Sequence, residues 1–352
     1  MKPSVFVSLI AVTVLTLGLA LFLSQPDTLD PAQDSAQALV PGLKDQVNEI
    51  DRLEIGTGSE ETIRLVRSDE RWRVENVDSY EADFERVHQL LRELAAGSRA
   101  EQRTANPDWH DRLGVAAART GESAAERSFE VAFPGTELPS LIIGRPGPAG
   151  ESRFVRVADE DQVWLSDREI SVPAEMIDWL QRSIMDIPGS ELSAITLRHA
   201  DGDIVQLQAA EENSSQWVLM NVPDGREAEA AWQLSSIGNA LSSLRLDGVR
   251  RHTGAPEDAS AALFVTRDGL NFVATLFEDE AGAWVNFSVS AEVSASEEGE
   301  AMSDEAASAS ADAAAVDARL SPWDFKLPDA KFEQMARQLE DLLVDLETSG
   351  EE

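Results

Sequence analysis

The sequence predicts an α+β protein: a single N-terminal transmembrane helix followed by two tandem, related antiparallel sheet-plus-helix halves. Three observations predict it. An uninterrupted apolar run occupies residues 4–23. Alternating strand patterns closed by turns recur later in the chain at a near-constant spacing. Each copy then runs on into an apolar stripe of helical period.

The first element is the anchor. Between Pro3 and Pro26 there is no charged residue, and Ser4–Leu23 (SVFVSLIAVTVLTLGLALFL) is almost wholly apolar. As a helix rising about 1.5 Å per residue it is about 30 Å long, the thickness of a bilayer's hydrocarbon core. A cleaved signal peptide is the competing reading, since Lys2 provides a positive start. The end of the run, Ala20-Leu-Phe-Leu-Ser24, lacks the small-x-small pattern of a cleavage site. Residues 1–24 are therefore expected to remain as an anchor in the cell inner membrane. Lys2 precedes the run while Asp27, Asp30 and Asp34 follow it, which places the N terminus in the cytoplasm and the C-terminal body in the periplasm. Residues 25–42, polar and with three prolines, read as a stalk linker.

Composition narrows what the body can do. In 352 residues there are 65 acidic and 29 basic side chains, a formal net charge of −36, so nucleic acid is not an expected partner. With no cysteine, disulfides, thiolate nucleophiles and cysteine-ligated metals are excluded.

The two halves are expected at 43–186 and 191–346, joined by Asp186-Ile-Pro-Gly-Ser190. Leu53-Glu-Ile55 and Ile63-Arg-Leu-Val66 match Ile195-Thr-Leu197 and Val205-Gln-Leu207 at an offset of 142. Trp72-Arg-Val-Glu-Asn-Val77 matches Trp217-Val-Leu-Met-Asn-Val222 at an offset of 145, and Asp201-Gly202 supplies a hairpin signal in the second copy. The helical stripes are Phe84, Val87, Leu90, Leu91 and Leu94 in the first half, and Leu234, Ile237, Leu241 and Leu244 in the second. Val163-Trp-Leu165 is aligned with Trp284-Val285, and Ser166–Pro173 with Ser321–Pro328. The difference between those offsets falls on 288–318, a run of Ala, Ser, Glu and Asp read as a disordered insert. A final amphipathic helix is expected through Phe332, Met335, Leu339, Leu342, Leu343 and Leu346.

Certain residues carry a family resemblance. They are Pro41-Gly-Leu-Lys-Asp-Gln-Val-Asn-Glu-Ile50, the strand at Trp72, the helix start Tyr80-Glu-Ala-Asp-Phe84 and Thr104-Ala-Asn-Pro-Asp-Trp-His-Asp-Arg-Leu-Gly-Val115. Across about residues 40–345 the chain resembles the uncharacterised family known as domain of unknown function 4340. The resemblance implies one membrane segment, an exported body, and an accessory role beside an ABC transporter permease and ATPase of the gliding-motility auxiliary type. It carries over no catalytic residue.

No assembled catalytic motif is legible. G-x-S-x-G, a P-loop and H-E-x-x-H are all missing, and Gly56-Thr-Gly58 reads as a turn. His88 reads as a helix-surface residue. His110, flanked by Asp108 and Asp111, has the composition of a base beside its orienting carboxylate, and equally that of an Asx turn capping a short helix that ends at Gly114. Asp159-Glu-Asp161 and Glu278-Asp-Glu280 read as solvated loop tips. With eight tryptophans against one tyrosine, Trp72, Trp164, Trp217 and Trp284 are assigned to strands of the core. Trp109 and Trp323, with His110, remain as the candidate contact surface. No catalytic, cofactor-binding or metal-binding residue is assigned, and no cofactor is expected. The expected function is a non-enzymatic docking component of a membrane complex such as an ABC transporter. The alternatives are an extracytoplasmic module binding a glycan or lipid headgroup and, more remotely, a hydrolase around His110.

Overall fold

The computed structural model describes residues 38–344, apart from 60, 122, 124–125, 149, 211–215 and 292–303. The anchor expected at 1–24 and most of the stalk lie outside the described residues. Among the described residues no helix is long and apolar enough to cross a membrane. The chain is α+β, mostly antiparallel sheet with a few helices.

In chain order the first elements are α1 (Leu43–Gln46), β1 (Arg52–Gly56), β2 (Ile63–Ser68), β3 (Arg71–Val74), β4 (Tyr80–Glu81) and α2 (Phe84–Ala96). Then come β5 (Arg99–Thr104), α3 (His110–Leu113), β6 (Phe129–Ala132), β7 (Leu141–Pro146), β8 (Arg153–Val157) and β9 (Val163–Ser166). They are followed by β10 (Ser183–Met185), β11 (Leu192–Arg198), β12 (Ile204–Ala209), β13 (Trp217–Leu219), α4 (Ala231–Gly238), β14 (Leu244–Arg245) and β15 (Gly248–Arg251). The last are β16 (Ser260–Thr266), β17 (Leu270–Asp279), β18 (Gly282–Ala291), α5 (Asp304–Leu320), β19 (Trp323–Lys326) and α6 (Asp329–Met335).

Contacts divide the chain into two units. The first takes the described residues up to Thr62 together with His88–Val172; the second takes Ile63–Val87 and the described residues from Pro173 onward.

In the first unit the strand order is β1-β6-β7-β8-β9-β5, antiparallel throughout. Leu53 and Ile55 of β1 are wholly buried while their neighbours are not, the period-2 signature of one covered face. Central strand β7 differs, since Leu141, Ile142, Ile143 and Gly144 are all buried. Its second face is covered by a small cluster of Ile142, Val115 and Val163, with Leu113 packed against it. That cover comes close: a Cβ on Gly144 would stand 2.4 Å from the Leu113 carbonyl oxygen, so only glycine lets the end of α3 reach the sheet. Arg156, buried on β8, ties the loops above this face. Its guanidinium donates to the carbonyls of Val115 (2.8 Å), Ala158 (2.7 Å) and Glu160 (2.9 Å), and more weakly to those of Ala116 and Val157. No carboxylate takes part in this set of bonds. Backbone oxygens held in place by the fold do the work of a counter-ion.

The expected stalk ends earlier than read. Leu39 and Val40 are buried, and Ala38 bridges Ser98, so folded sequence has begun by Ala38 rather than Leu43.

In the second unit one sheet portion has the order β4-β3-β2 and the other β13-β12-β11-β16-β17-β18-β19-β15. The order β11-β16-β17-β18-β19-β15 repeats that of the first unit strand for strand. Hairpins β2–β3 and β12–β13 correspond in register as well. Leu65 lies opposite Val74 and Leu207 opposite Leu219, Arg67 opposite Trp72 and Ala209 opposite Trp217. Those pairs are separated by the offsets 142 and 145 read from sequence. Side-chain bonding follows the same offsets: Asn76 Oδ1 accepts from the Arg64 amide at 2.7 Å, and Asn221 Oδ1 from the Gln206 amide at 3.0 Å.

Later correspondences need correction. By strand order β9 matches β19, not β18, so Trp164 corresponds to the Trp323 strand, and Trp284 of β18 belongs with β8. Strand β18 is ten residues long against five for β8, and this length difference displaced the alignment. Residues 288–318 are likewise not a disordered insert over their described part. Ser288–Ala291 complete β18, and Asp304–Leu320 form a helix whose Ala313 and Leu320 are buried. Its Asp317 carboxylate accepts from the Val289 amide at 2.8 Å, fastening the helix to the strand. Alanine's strong helix propensity outweighs the low complexity of the segment.

Helix α2 starts where Asp83 Oδ1 accepts the Arg86 amide at 3.1 Å, a capping bond. Val87, Leu90, Leu91 and Leu94 are buried as expected, whereas Phe84 is 49% exposed because it lies in the first turn, ahead of the covered stripe. Helix α4 buries Leu234 and Ile237 and stops at Gly238, with Leu241 and Leu244 buried beyond its end. A Cβ on Gly238 would sit 2.0 Å from Trp217 Nε1, so α4 seats against β13 only through glycine. The last helix is shorter than expected as well. After α6 a separate 3-10 turn covers Glu340–Leu342, and Leu343 bridges Ala228.

Candidate functional site

Of the residues expected to form a contact surface, Trp109 and His110 lie in the first unit and Trp323 in the second. Trp109 is 45% exposed, with the Arg112 guanidinium 4.6 Å from its ring centre. His110 is buried. Its Nε2–H donates to the Asp161 carbonyl at 2.8 Å, while Asp111 is paired with Arg119. The carboxylates that flank it in sequence do not orient its ring, and the capping group is Asn106, whose Oδ1 accepts the Asp108 amide at 3.1 Å. Helix α3 does end at Gly114, with φ 71°. Trp323 is only 7% exposed and is no free contact residue. Its ring meets the edge of Tyr80, with centroids 4.9 Å apart at 89°, and Trp323, Asp324 and Phe325 of β19 are all buried, so both faces of this strand are covered.

The histidine that does meet a carboxylate is His252, which carries no motif in the sequence. Its Nδ1 is 2.5 Å from Asp324 Oδ1, and Asp324 Oδ2 accepts from Arg250 Nε at 3.2 Å. Arg250 also donates to Asp279 at 2.6 Å and lies over the Trp284 ring at 4.0 Å. The Arg250 hydrogen bond, aided by the Ala281 amide and Trp284 Nε1, holds the Asp279 carboxyl below its usual range. Buried Asp324 is thus bonded by both His252 and Arg250, and the cluster acts as a clasp between β15, β19 and the β17–β18 turn. Among the described residues no serine or threonine hydroxyl is bonded to the imidazole, so these residues assemble no nucleophile–base pair on it. Among the described residues no three metal-ligating side chains lie close enough to hold an ion.

A different concavity collects unusual chemistry. Within the second unit a cavity of about 250 Å³ is bounded by Arg71, Arg73, Glu81, Arg319, Tyr80 and Trp323, with small and apolar residues of α5 along one wall. A shallower hollow of about 420 Å³ shares Arg73 and adds Arg251 and Glu75. Strand geometry produces the cluster: Arg73 lies opposite Glu81 in the β3–β4 pair, and Arg251 opposite Trp323 in the β15–β19 pair. The Arg251 guanidinium rests 4.1 Å from the Trp323 ring centre. Arg73 Nη1 donates to the Ser79 carbonyl at 3.2 Å, and Arg319 Nη1 to the Ile184 carbonyl at 2.9 Å. Tyr80 donates its hydroxyl to the Gln181 carbonyl at 3.2 Å. Burial pushes the Tyr80 phenol well above its ordinary value, against the pull of Arg319, so it stays protonated at neutral pH. What this arrangement offers chemically is cationic hydrogen-bond donors beside an aromatic floor.

The sequence profile of one family, Domain of unknown function (DUF4340), matches residues 72–263, more than half of the chain. The chain belongs to this family. No curated protein and no solved structure matches it. The DUF4340 match takes in Arg73, Tyr80, Glu81 and Arg251, while Arg319 and Trp323 lie beyond it.

Proposed function

We propose that this DUF4340 protein is a membrane-anchored periplasmic accessory component, tethered in the cell inner membrane through residues 4–23 and docked on a membrane complex such as an ABC transporter permease. Its body is then a scaffold built twice, acting as a binding part rather than a catalyst. The observation that carries the proposal is the spacing between the apolar run and the first buried side chains. Ser4–Leu23 is long enough to span a bilayer as a helix, and Leu39 and Val40 are already in the core. The intervening chain, at no more than about 3.6 Å per residue, reaches at most about 58 Å, so the body is held beside the membrane surface. Proximity of that kind raises the local concentration of any partner in the same membrane.

Purification of the full chain from detergent-solubilised membranes tests it. The expected result is recovery together with integral membrane proteins, lost when residues 1–24 are replaced by a cleavable signal peptide. Recovery of the intact anchored chain alone would refute it.

A further inference from the structure

We propose that the arginine-lined cavity of the second unit is a binding site for a small phosphate monoester, a dianion with its organic part laid against the Tyr80–Trp323 edge. The proposal does not depend on where in the cell the chain resides.

The argument begins with charge. Acidic side chains outnumber basic ones 65 to 29, so an arginine on this surface has carboxylates in abundance to pair with. Among the described residues Arg71, Arg73, Arg251 and Arg319 form no ion pair, and although other arginines elsewhere also lack one, these four stand together. All four line the two adjoining hollows. Glu75, the acid of the shallower hollow, is taken up by Arg64 at 3.0 Å. Glu81 is the one acid in the deeper cavity, where three arginines against one glutamate leave a formal charge of +2.

That charge matches a phosphate monoester, which carries about −1.5 to −2 at neutral pH. Guanidinium groups suit it in geometry too, since each offers five N–H donors in a planar fork. Arg73 and Arg319 each commit one donor nitrogen to a backbone carbonyl, which fixes the side chain and leaves its other donors for a ligand. Pre-fixing lowers the entropic cost of binding. The volume, about 250 Å³, is small for a ligand pocket and takes a phosphate with one ring or polyol attached. Aromatic edges and the α5 wall provide the apolar contact such a ring needs. Repulsion from the chain's net charge of −36 means that an anion is retained only where cations are concentrated in this way.

The phosphate could belong to a soluble phosphosugar or to a lipid headgroup, and two probes separate these. The full chain in neutral detergent is titrated calorimetrically with glucose 6-phosphate, with glucose as the uncharged control, and separately with dihexanoyl phosphatidic acid against dihexanoyl phosphatidylcholine. Saturable one-to-one binding of a phosphate monoester, weakened by salt and absent for its control, is expected. Binding of glucose 6-phosphate assigns a soluble source, and binding of phosphatidic acid alone assigns a headgroup. Arg71→Gln, Arg73→Gln and Arg319→Gln should each weaken it about tenfold. Glu81→Gln should tighten it by removing the opposing charge, and Arg103→Gln, in the other unit, should leave it unchanged. Arg71 makes no side-chain hydrogen bond or ion pair among the described residues, so its variant tests the site without disturbing the fold. No saturable binding of either monoester, or equal affinities in the three arginine variants and the parent, would overturn the proposal.

Discussion

Replacing Arg156 by leucine isolates a guanidinium whose partners are backbone carbonyls alone. Three of its bonds, to Val115, Ala158 and Glu160, are 2.9 Å or shorter, and two more are 3.2–3.3 Å. Taking about 1 kcal/mol or slightly more for each short bond and nothing for the long ones gives a loss of about 3–4 kcal/mol. Leucine fills part of the volume but offers no donor. Against a typical domain stability of about 5–15 kcal/mol, that loss is large enough to open the first unit locally. Hydrogen exchange read peptide by peptide is the suitable assay, because a chain of two units need not unfold in one step. Protection should fall in β7, β8 and the loops at 115–119 and 157–162, with β16 to β18 unchanged. Arg156→Lys should recover only part of it, since an ammonium is too compact to span all three carbonyls. Protection in β7 and β8 equal to the parent protein would refute the idea that this one side chain holds the loops over the sheet.

The other predictions concern single contacts. Gly238→Ala should destabilise by about 1–3 kcal/mol, visible as a lower thermal midpoint, because its new methyl group must displace the Trp217 ring. Asn76→Ala and Asn221→Ala should each cost about 1 kcal/mol, and the equivalence of the two hairpins predicts losses of similar size in thermal melts. For pH the sign follows from Asp186. Its carboxyl is held below its usual range by the Ser243 amide at 2.6 Å and by the hydroxyls of Ser242 and Ser243. A carboxyl lowered on folding contributes stability above its unfolded value of about 3.9, and that contribution is lost as pH falls further. Denaturation between about pH 5 and 2 should therefore show a shallower acid decline in Asp186→Asn than in the parent protein.

How much of this was legible beforehand depends on range along the chain. The hairpins were readable because alternation and turn residues are local: the offsets 142 and 145 proved to be register relations, down to the paired asparagines. Strands joined by longer segments were harder. The Trp164 strand was matched to Trp284 because sequence shows spacing, whereas only the sheet order reveals that β9 answers to β19. Low complexity suggested disorder at 288–318, yet alanine-rich sequence forms a helix once Ala313 and Leu320 have a strand to cover. Trp323 was read as a contact residue since nothing local shows that both faces of this short strand are covered. The arginine cavity draws on residues near 71–81, 181 and 315–323, so no window of sequence contains it. His252 and Asp324 lie 72 residues apart and were invisible for the same reason.

The absence of cysteine from the chain permits a direct test of where the body lies. A single cysteine placed at exposed position 258 (Asp258→Cys) can be challenged in intact spheroplasts with a maleimide that does not cross the inner membrane. An anchored body on the outer side of that membrane predicts full labelling before lysis, on a chain that still contains residues 1–24. Labelling that appears only after lysis, or labelled protein that has lost those residues, would contradict it.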